Sequence, residues 1–255
     1  MKGSLAKSIL AGLVLKSGLA LATPTTTYWT PACTDVQPFG VLHIGMDSYT
    51  TVFEKADDGG GDFPTDYGLT MGVLPLEKVQ MEIGMDLMEP SDDPLFFNAK
   101  IGSPEGAWFP SAPAVNIGLF NVGTRQDVTD QNVAYLMIGK TLPYLGRIHA
   151  GPYFGNRSTL LDSDGNPESK GFMIGYDRGF LPTRDAAGNE FNRILVGADY
   201  ASGENAIGGG GVGFSYFFSR DISLLTGPVW FNSPEINGDW KWTIQLDINV
   251  ATSNR

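Results

Sequence analysis

Period-two alternation, sustained from about residue 39 to residue 250 and broken only by turns, most limits what this chain can become. In Val79-Gln80-Met81-Glu82-Ile83-Gly84-Met85-Asp86-Leu87, every second residue is apolar and the others are polar or glycine. The stretch Trp240 to Val250 repeats the pattern: Trp240, Trp242, Ile244, Leu246, Ile248 and Val250 alternate with Lys241, Thr243, Gln245, Asp247 and Asn249. Successive side chains of a strand point to opposite faces, so each run is a strand with one apolar and one polar face.

The same reading places strands near 39–51, 66–74, 79–89, 95–102, 113–122, 132–141, 147–156, 171–178, 192–202, 209–218, 222–231 and 239–250. The expected fold is therefore all-β: an antiparallel up-and-down barrel of twelve strands. Lys140 cannot be assigned to a face, because the phase of the sixth strand is ambiguous. Short turns at 75–78, 143–146 and 219–221 alternate with longer polar loops at 52–65, 123–131 and 157–170. The long segments 103–112 and 179–191 fall on the short-turn side, and the short 90–94 falls on the other; all three depart from this asymmetry. Ala150-Gly-Pro-Tyr-Phe-Gly-Asn156 echoes Thr226-Gly-Pro-Val-Trp-Phe-Asn232, as duplicated hairpins would. Pro152 and Pro228 each remove a ladder donor, and a bulge is expected at each.

The N-terminus reads as a secretion signal. Lys2 and Lys7 precede the apolar run Ile9–Leu15, and Ala20-Leu21-Ala22 offers a small-x-small cleavage site. Lys16 interrupts the apolar stretch, and a retained N-terminal helix is the alternative. The expected organisation is a signal at 1–22, an N-terminal extension at 23–38 and a barrel domain at 39–255. No other segment approaches the ~20 consecutive apolar residues of a membrane helix, so a membrane could be crossed only by a closed barrel. Cys33 is the single cysteine and excludes an internal disulfide. The net charge of −11 argues against a nucleic-acid partner, since nothing would neutralise its phosphates.

A soluble barrel or sandwich shows the same alternation with its apolar face inward. Export, glycine on the polar face (Gly68, Gly72, Gly84, Gly118, Gly151, Gly155, Gly175, Gly197, Gly211, Gly213) and aromatics at strand ends (Tyr67, Tyr200, Phe218, Trp230, Trp240, Trp242) favour the membrane. Glycine opens space inside a barrel, and aromatic rings suit an interfacial girdle. On these features the chain resembles bacterial outer-membrane porin-like β-barrels over residues 39–250, a likeness of pattern without a signature motif. Such barrels usually close their last strand with an aromatic residue that serves as an assembly signal; here the strand ends at Val250 and Ala251-Thr-Ser-Asn-Arg255 follows.

The polar face should line a lumen of roughly 10 Å, if nothing plugs it. By phase, Asp47, Asp86 and Asp199 face inward without an adjacent base. Matched depth pairs Glu82 with Lys100 and Asp177 with Arg193 as cross-strand neighbours on the wall. Further inward charges are Asp247 and Lys241. His43 and His149 lie on opposite sides of the barrel and cannot share a metal, and no serine is placed beside either, so no enzyme is expected. Asp162-Ser-Asp164-Gly-Asn166-Pro-Glu168 has oxygen spacing that suits calcium, but an ordinary Asp/Asn/Gly turn explains it better. Gly208 to Gly211 starts a strand and cradles no phosphate. No cofactor is expected. The expected function is passive diffusion of small hydrophilic solutes, cations or neutral molecules, across an outer membrane, with outer-membrane lipid and the solutes as partners. A closed structural or adhesion barrel and a specific uptake channel are the alternatives.

Overall fold

A computed structural model of the chain describes residues 27–52 and 63–252. The expected signal at 1–22 lies outside the described residues. Twelve strands follow in order: β1 Val41–Thr50, β2 Thr65–Gly72, β3 Gln80–Glu89, β4 Leu95–Ser103, β5 Ala114–Gly123, β6 Val133–Leu142, β7 Gly146–Phe154, β8 Lys170–Arg184, β9 Glu190–Ala201, β10 Gly209–Ser219, β11 Ile222–Phe231 and β12 Lys241–Ala251. Each pairs antiparallel with its sequence neighbours, and β1 pairs with β12, from Val41 opposite Ala251 to Thr50 opposite Trp242. That seam closes the sheet into a barrel and leaves it no open edge.

One end carries the tight connections and both ends of the ring, the start of β1 and the finish of β12. It is called here the turn end, and the other the loop end. The expected long connection 179–191 is mostly strand. β8 runs to Arg184 and β9 starts at Glu190, so only 185–189 remain as a turn. Gly179, Pro182 and a left-handed Leu181 (φ 54°) disturb the alternation there without ending the pairing, which continues through Pro182–Asn192 to Arg184–Glu190. The connection between β4 and β5 is truly long, and it folds on itself through Gly106 N–H to the Ala112 carbonyl.

The prolines produce no bulges. Around Pro152 the pairs Tyr135–Tyr153 and Ile138–Ala150 keep one register, and only the rungs between them are missing. Around Pro228 the pairs Gly211–Val229 and Phe214–Thr226 do the same. A missing N–H deletes a rung, but the rungs on either side hold the register. Register shifts occur elsewhere, between Phe97 and Ala99 and between Phe217 and Ser219.

Over most of the wall the two faces are chemically opposite, although the inner face of β5 to β8 also carries the buried cluster of Phe120, Val133, Met137, Tyr153 and Met173. Outward residues such as Ile83, Ile117, Leu119, Ile138, Ile174 and Ile244 are exposed, Ile117 by 53%. Inward residues Glu82, Lys100, His149, Lys241 and Asp247 are each 1% exposed. A soluble barrel would have to be built the other way round. Leaving isoleucines in water while burying lysines would be unfavourable on both counts, whereas in a bilayer the outer face meets hydrocarbon. Tyr67, Trp230, Trp240 and Trp242 lie outward near the loop end, and Trp108, Phe109, Tyr144 and Phe218 near the turn end, so aromatic residues border the apolar band on both sides. Lys140, with its side chain 40% exposed, points outward at the turn end and pairs with Glu105 at 2.7 Å.

A charge placed at mid-height of this outer face should be costly. Leu119→Arg is expected to lower barrel stability in lipid by about 2–4 kcal/mol, and Phe218→Arg near the rim by about 0–1 kcal/mol. Equilibrium unfolding in urea from lipid vesicles measures both; equal costs at the two depths would contradict the lipid-facing assignment.

Candidate functional site: a lumen filled by the N-terminal segment

The lumen is occupied by the chain's own N-terminal segment. Tyr28, Thr30, Ala32, Cys33, Thr34, Val36 and Gln37 are all buried, although they precede the first strand. Phe39 bridges to Gly72 at the turn end, while Trp29 meets Tyr49, Phe63 and Phe231 at the loop end, with ring centroids 5.6, 5.4 and 4.9 Å away. Ten extended residues reach about 33 Å, and a ten-residue strand tilted by ~40° rises about 25 Å, so Tyr28–Gln37 suffices to cross the barrel. Residues 28–38 of the expected N-terminal extension therefore lie within the barrel as a plug. The physical reason is complementarity of size: one chain with side chains is about as wide as the ~10 Å lumen of a twelve-stranded ring.

Glycines of the inner wall make the fit possible. A Cβ on Gly175 would lie 1.9 Å from the Ala32 carbonyl oxygen, and one on Gly72 would lie 2.0 Å from that of Pro38. At Gly211 it would press on Tyr28, and at Gly139 on Thr34 and His149. The glycine-rich polar face does open space, and the segment uses it.

Polar contacts hold the segment along its whole length. Near the loop end, Asp199 Oδ2 accepts the N–H groups of Tyr28 (2.8 Å), Trp29 (2.9 Å) and Thr30 (2.8 Å), while its Oδ1 accepts that of Gly211 (3.0 Å). Three successive backbone donors around one oxygen form an anion nest, and the carboxylate offsets donors that would otherwise be buried without partners. Gln245 Nε2 donates to the Tyr28 carbonyl (2.9 Å), and Trp29 Nε1 to that of Ile207 (3.0 Å). In the middle, Asn116 Nδ2 donates to the Cys33 carbonyl at 2.9 Å. Toward the turn end, Glu82 Oε2 accepts Gln37 N–H (2.6 Å), and Gln37 Nε2 donates to Asn249 Oδ1 (2.8 Å).

The strongest grip is on Asp35. Arg147 donates to it twice, Nη1 to Oδ1 at 2.6 Å and Nη2 to Oδ2 at 2.7 Å. The same guanidinium turns its Nε to Asp177, 2.9 and 3.1 Å from the two carboxylate oxygens. His149 Nε2 lies 3.0 Å from Asp177 Oδ2, and its Nδ1 lies 3.0 Å from Thr34 Oγ1. Hydroxyl, imidazole and carboxylate thus stand in one hydrogen-bonded row, with Thr34 and His149 buried. The row ties the segment to the wall.

The expected site residues are distributed as follows. Asp47, Asp86 and Asp199 face inward. Asp199 is not a free lumen charge, because the segment's backbone takes it up. Asp86 accepts from Asn98, and Asp47 stands opposite Asp66 on β2. Glu82 and Lys100 are direct register partners, with Lys100 Nζ 3.3 Å from Glu82 Oε1. Asp177 and Arg193 are not a pair. Asp177 stands opposite Arg147 and Gly197, and Arg193 donates to the carbonyls of Phe217 and Phe218. Matched depth was an inadequate guide, since the β8–β9 hairpin extends beyond its expected ends and sets the two residues at different heights. Arg147 was missed, although it lies two residues before the inward His149 and shares its phase. His43 meets Asp247 at 3.5 Å and Asn249 at 3.1 Å.

Asp162 folds its carboxylate onto its own loop. Oδ1 accepts the N–H groups of Asp164 (3.0 Å) and Asn166 (2.7 Å), and Oδ2 accepts Asn166 Nδ2 (3.2 Å). The backbone N–H of Asn166 holds this carboxyl below its usual range. Asp185 makes the same turn with Ala187 and Asn189. Both are Asx turns whose oxygens are already used.

No protein-family model and no curated protein matches the chain. Among solved structures, similarity is found to the KdgM porin (8% identity, TM-score 0.47, covering 84% of this chain and 99% of that one). Similarity is also found to the NanC porin (6%, 0.47, 81% and 98%) and to outer membrane phospholipase A from Escherichia coli (12%, 0.44, 84% and 98%).

Within the buried lumen, a charge left without its partner is costly. Glu82→Gln and Lys100→Met should each destabilise the barrel, and the double variant should be more stable than the two single losses added together. Thermal midpoints of the heat-modifiable gel shift measure this cycle; strictly additive losses would show that the pair is energetically uncoupled.

Proposed function

We propose that this protein is an outer-membrane channel for small hydrophilic solutes that rests in a closed state, with its N-terminal segment as the plug. The observation that carries this reading is the nature of the plug's contacts. Its anchors are mostly hydrogen bonds and ion pairs to polar wall residues, beside the ring contacts of Trp29 and the packing of Ala32 in an inward apolar cluster. A solvated lumen could replace these hydrogen bonds and ion pairs with water. With the segment withdrawn, the wall would enclose roughly 10 Å of space lined by charged, amide and hydroxyl side chains and, on β5 to β8, by Phe120, Val133, Met137 and Met173. Short turns face the periplasm in barrels of this kind, which puts Phe39 on the periplasmic side and Trp29 at the outer mouth.

Inorganic cations are the favoured ions of the open state. Asp47, Asp66 and Asp86 lie together on β1, β2 and β3 toward the loop end, and Asp199 joins them once the segment's backbone leaves it. Carboxylates in a narrow passage enrich counter-ions, and salt weakens the effect by screening. A permanently closed structural barrel is the second reading. The near-complete burial of the segment from Tyr28 to Gln37 favours it.

Planar-bilayer conductance separates the two. The full chain should be almost silent, and a variant lacking residues 23–38 should conduct steadily and prefer cations at low salt. Asp199→Asn in the full chain should raise the frequency of openings, because a neutral amide holds three N–H groups less well than a carboxylate does. A folded but silent deletion variant would establish the structural reading.

A further inference from the structure

The grip of Arg147 on Asp35 has the form of a receptor holding a ligand. Two of the guanidinium's three nitrogens face the carboxylate in a fork, 2.6 and 2.7 Å from its oxygens. The third, Nε, is fixed by Asp177, which His149 braces in turn at 3.0 Å. The wall thus orients the fork whether or not Asp35 is present, because Asp177 and His149 belong to β8 and β7 and not to the plug. Planar bidentate geometry of this kind suits a carboxylate and discriminates against spherical anions. Lys100 adds a second cation beside it, with Nζ 3.0 Å from the Asp35 carbonyl oxygen.

The site is also within reach of water. Arg147 is the second residue of β7, at the turn end, and the side chains of Arg147 and Asp35 are 23% and 24% exposed. A cavity of about 30 Å³ borders both residues, between the plug and the walls at Leu195, Gly197, Ser215 and Leu225. That is room for about one water molecule. Arg147 is therefore neither sealed in the wall nor free in solvent, which is where a ligand from the turn-end compartment could compete with Asp35.

We propose that Arg147, oriented by Asp177 and His149, is a binding site for small carboxylates at the turn-end mouth, and that Asp35 occupies it as an internal pseudo-ligand in the closed state. A solute carboxylate that takes the fork removes the strongest hold on the plug near that mouth. In a barrel without the plug, the same solute lodges at the mouth and obstructs current from that side. The carboxylates of the loop end repel anions, so an organic acid meets this site from the turn end only.

Two experiments test the site, and only the second rests on the channel reading. The first uses the full chain. Asp35→Ala leaves the fork without a carboxylate next to an existing cavity, and formate is the probe. Formate should restore at least half of the thermal stability that Asp35→Ala loses, while chloride at the same ionic strength should restore little. If Asp35→Ala refolds poorly, the refolding yield in formate against chloride is the readout. The gain should vanish in Asp35→Ala/Arg147→Gln. Equal effects of formate and chloride, or rescue that persists without Arg147, would overturn the proposal. The second uses the variant lacking residues 23–38 in a planar bilayer, with gluconate added to one side. Gluconate at the turn end should reduce the current, and Arg147→Gln should weaken this block about tenfold, the loss of one charge-assisted contact. Block that is unchanged by Arg147→Gln, or equal from both sides, counts against the site even if the channel conducts. A silent variant defeats the channel reading, and the formate result then decides the site alone.

Discussion

Closure of the sheet between β1 and β12 is the constraint on which the rest of the structure depends. In hydrocarbon no water is at hand to satisfy an open strand edge, so the ten pairs from Val41–Ala251 to Thr50–Trp242 must form for the outer face to be lipid-exposed at all. Closure also fixes the size of the space inside. A ring of twelve strands is wide enough for one extended chain with its side chains. A lumen of that width, lined with polar groups, must hold water, solute or polypeptide. Here it holds residues 28–38.

Two kinds of contact position that polypeptide. Glycines at the inner wall, with Gly175 beneath Ala32 and Gly72 beneath Pro38, set how closely the backbone can approach. Charged anchors at the two ends then fix its register: Asp199 around three N–H groups near the loop end, and Arg147 on Asp35 nearer the turn end. The paired charges stand among buried neighbours and are costly to leave unpaired, so the anchors work in both directions. They hold the plug, and the plug satisfies them.

Much of this was legible along the chain. The phases of Glu82 and Lys100 put them on the inner wall, and their matched depth near the same end of neighbouring strands put them side by side; the structure has them 3.3 Å apart. The same reasoning failed for Asp177 and Arg193, where the hairpin is longer than its alternation indicates and depth could not be counted from the turn. Arg147 was within reach by phase from His149, but no neighbour in sequence pointed to its partner, which lies 112 residues away on a segment with no alternation of its own. The inner-wall glycines were a trace of the plug: they indicated that space was needed inside, though not for what.

By itself, the sequence determined the number of strands and, except in the sixth, which residues share the apolar face. These follow from a local rule, the alternation of side chains along an extended backbone, and need no knowledge of distant contacts. Tertiary structure alone decided what fills the lumen. Whether Thr30-Pro-Ala-Cys-Thr-Asp35 hangs outside or threads the ring depends on the width of the closed barrel and on carboxylates and guanidinium groups brought to meet it from β3, β7, β8 and β9. Those are properties of the assembled ring, and no stretch of the chain contains them.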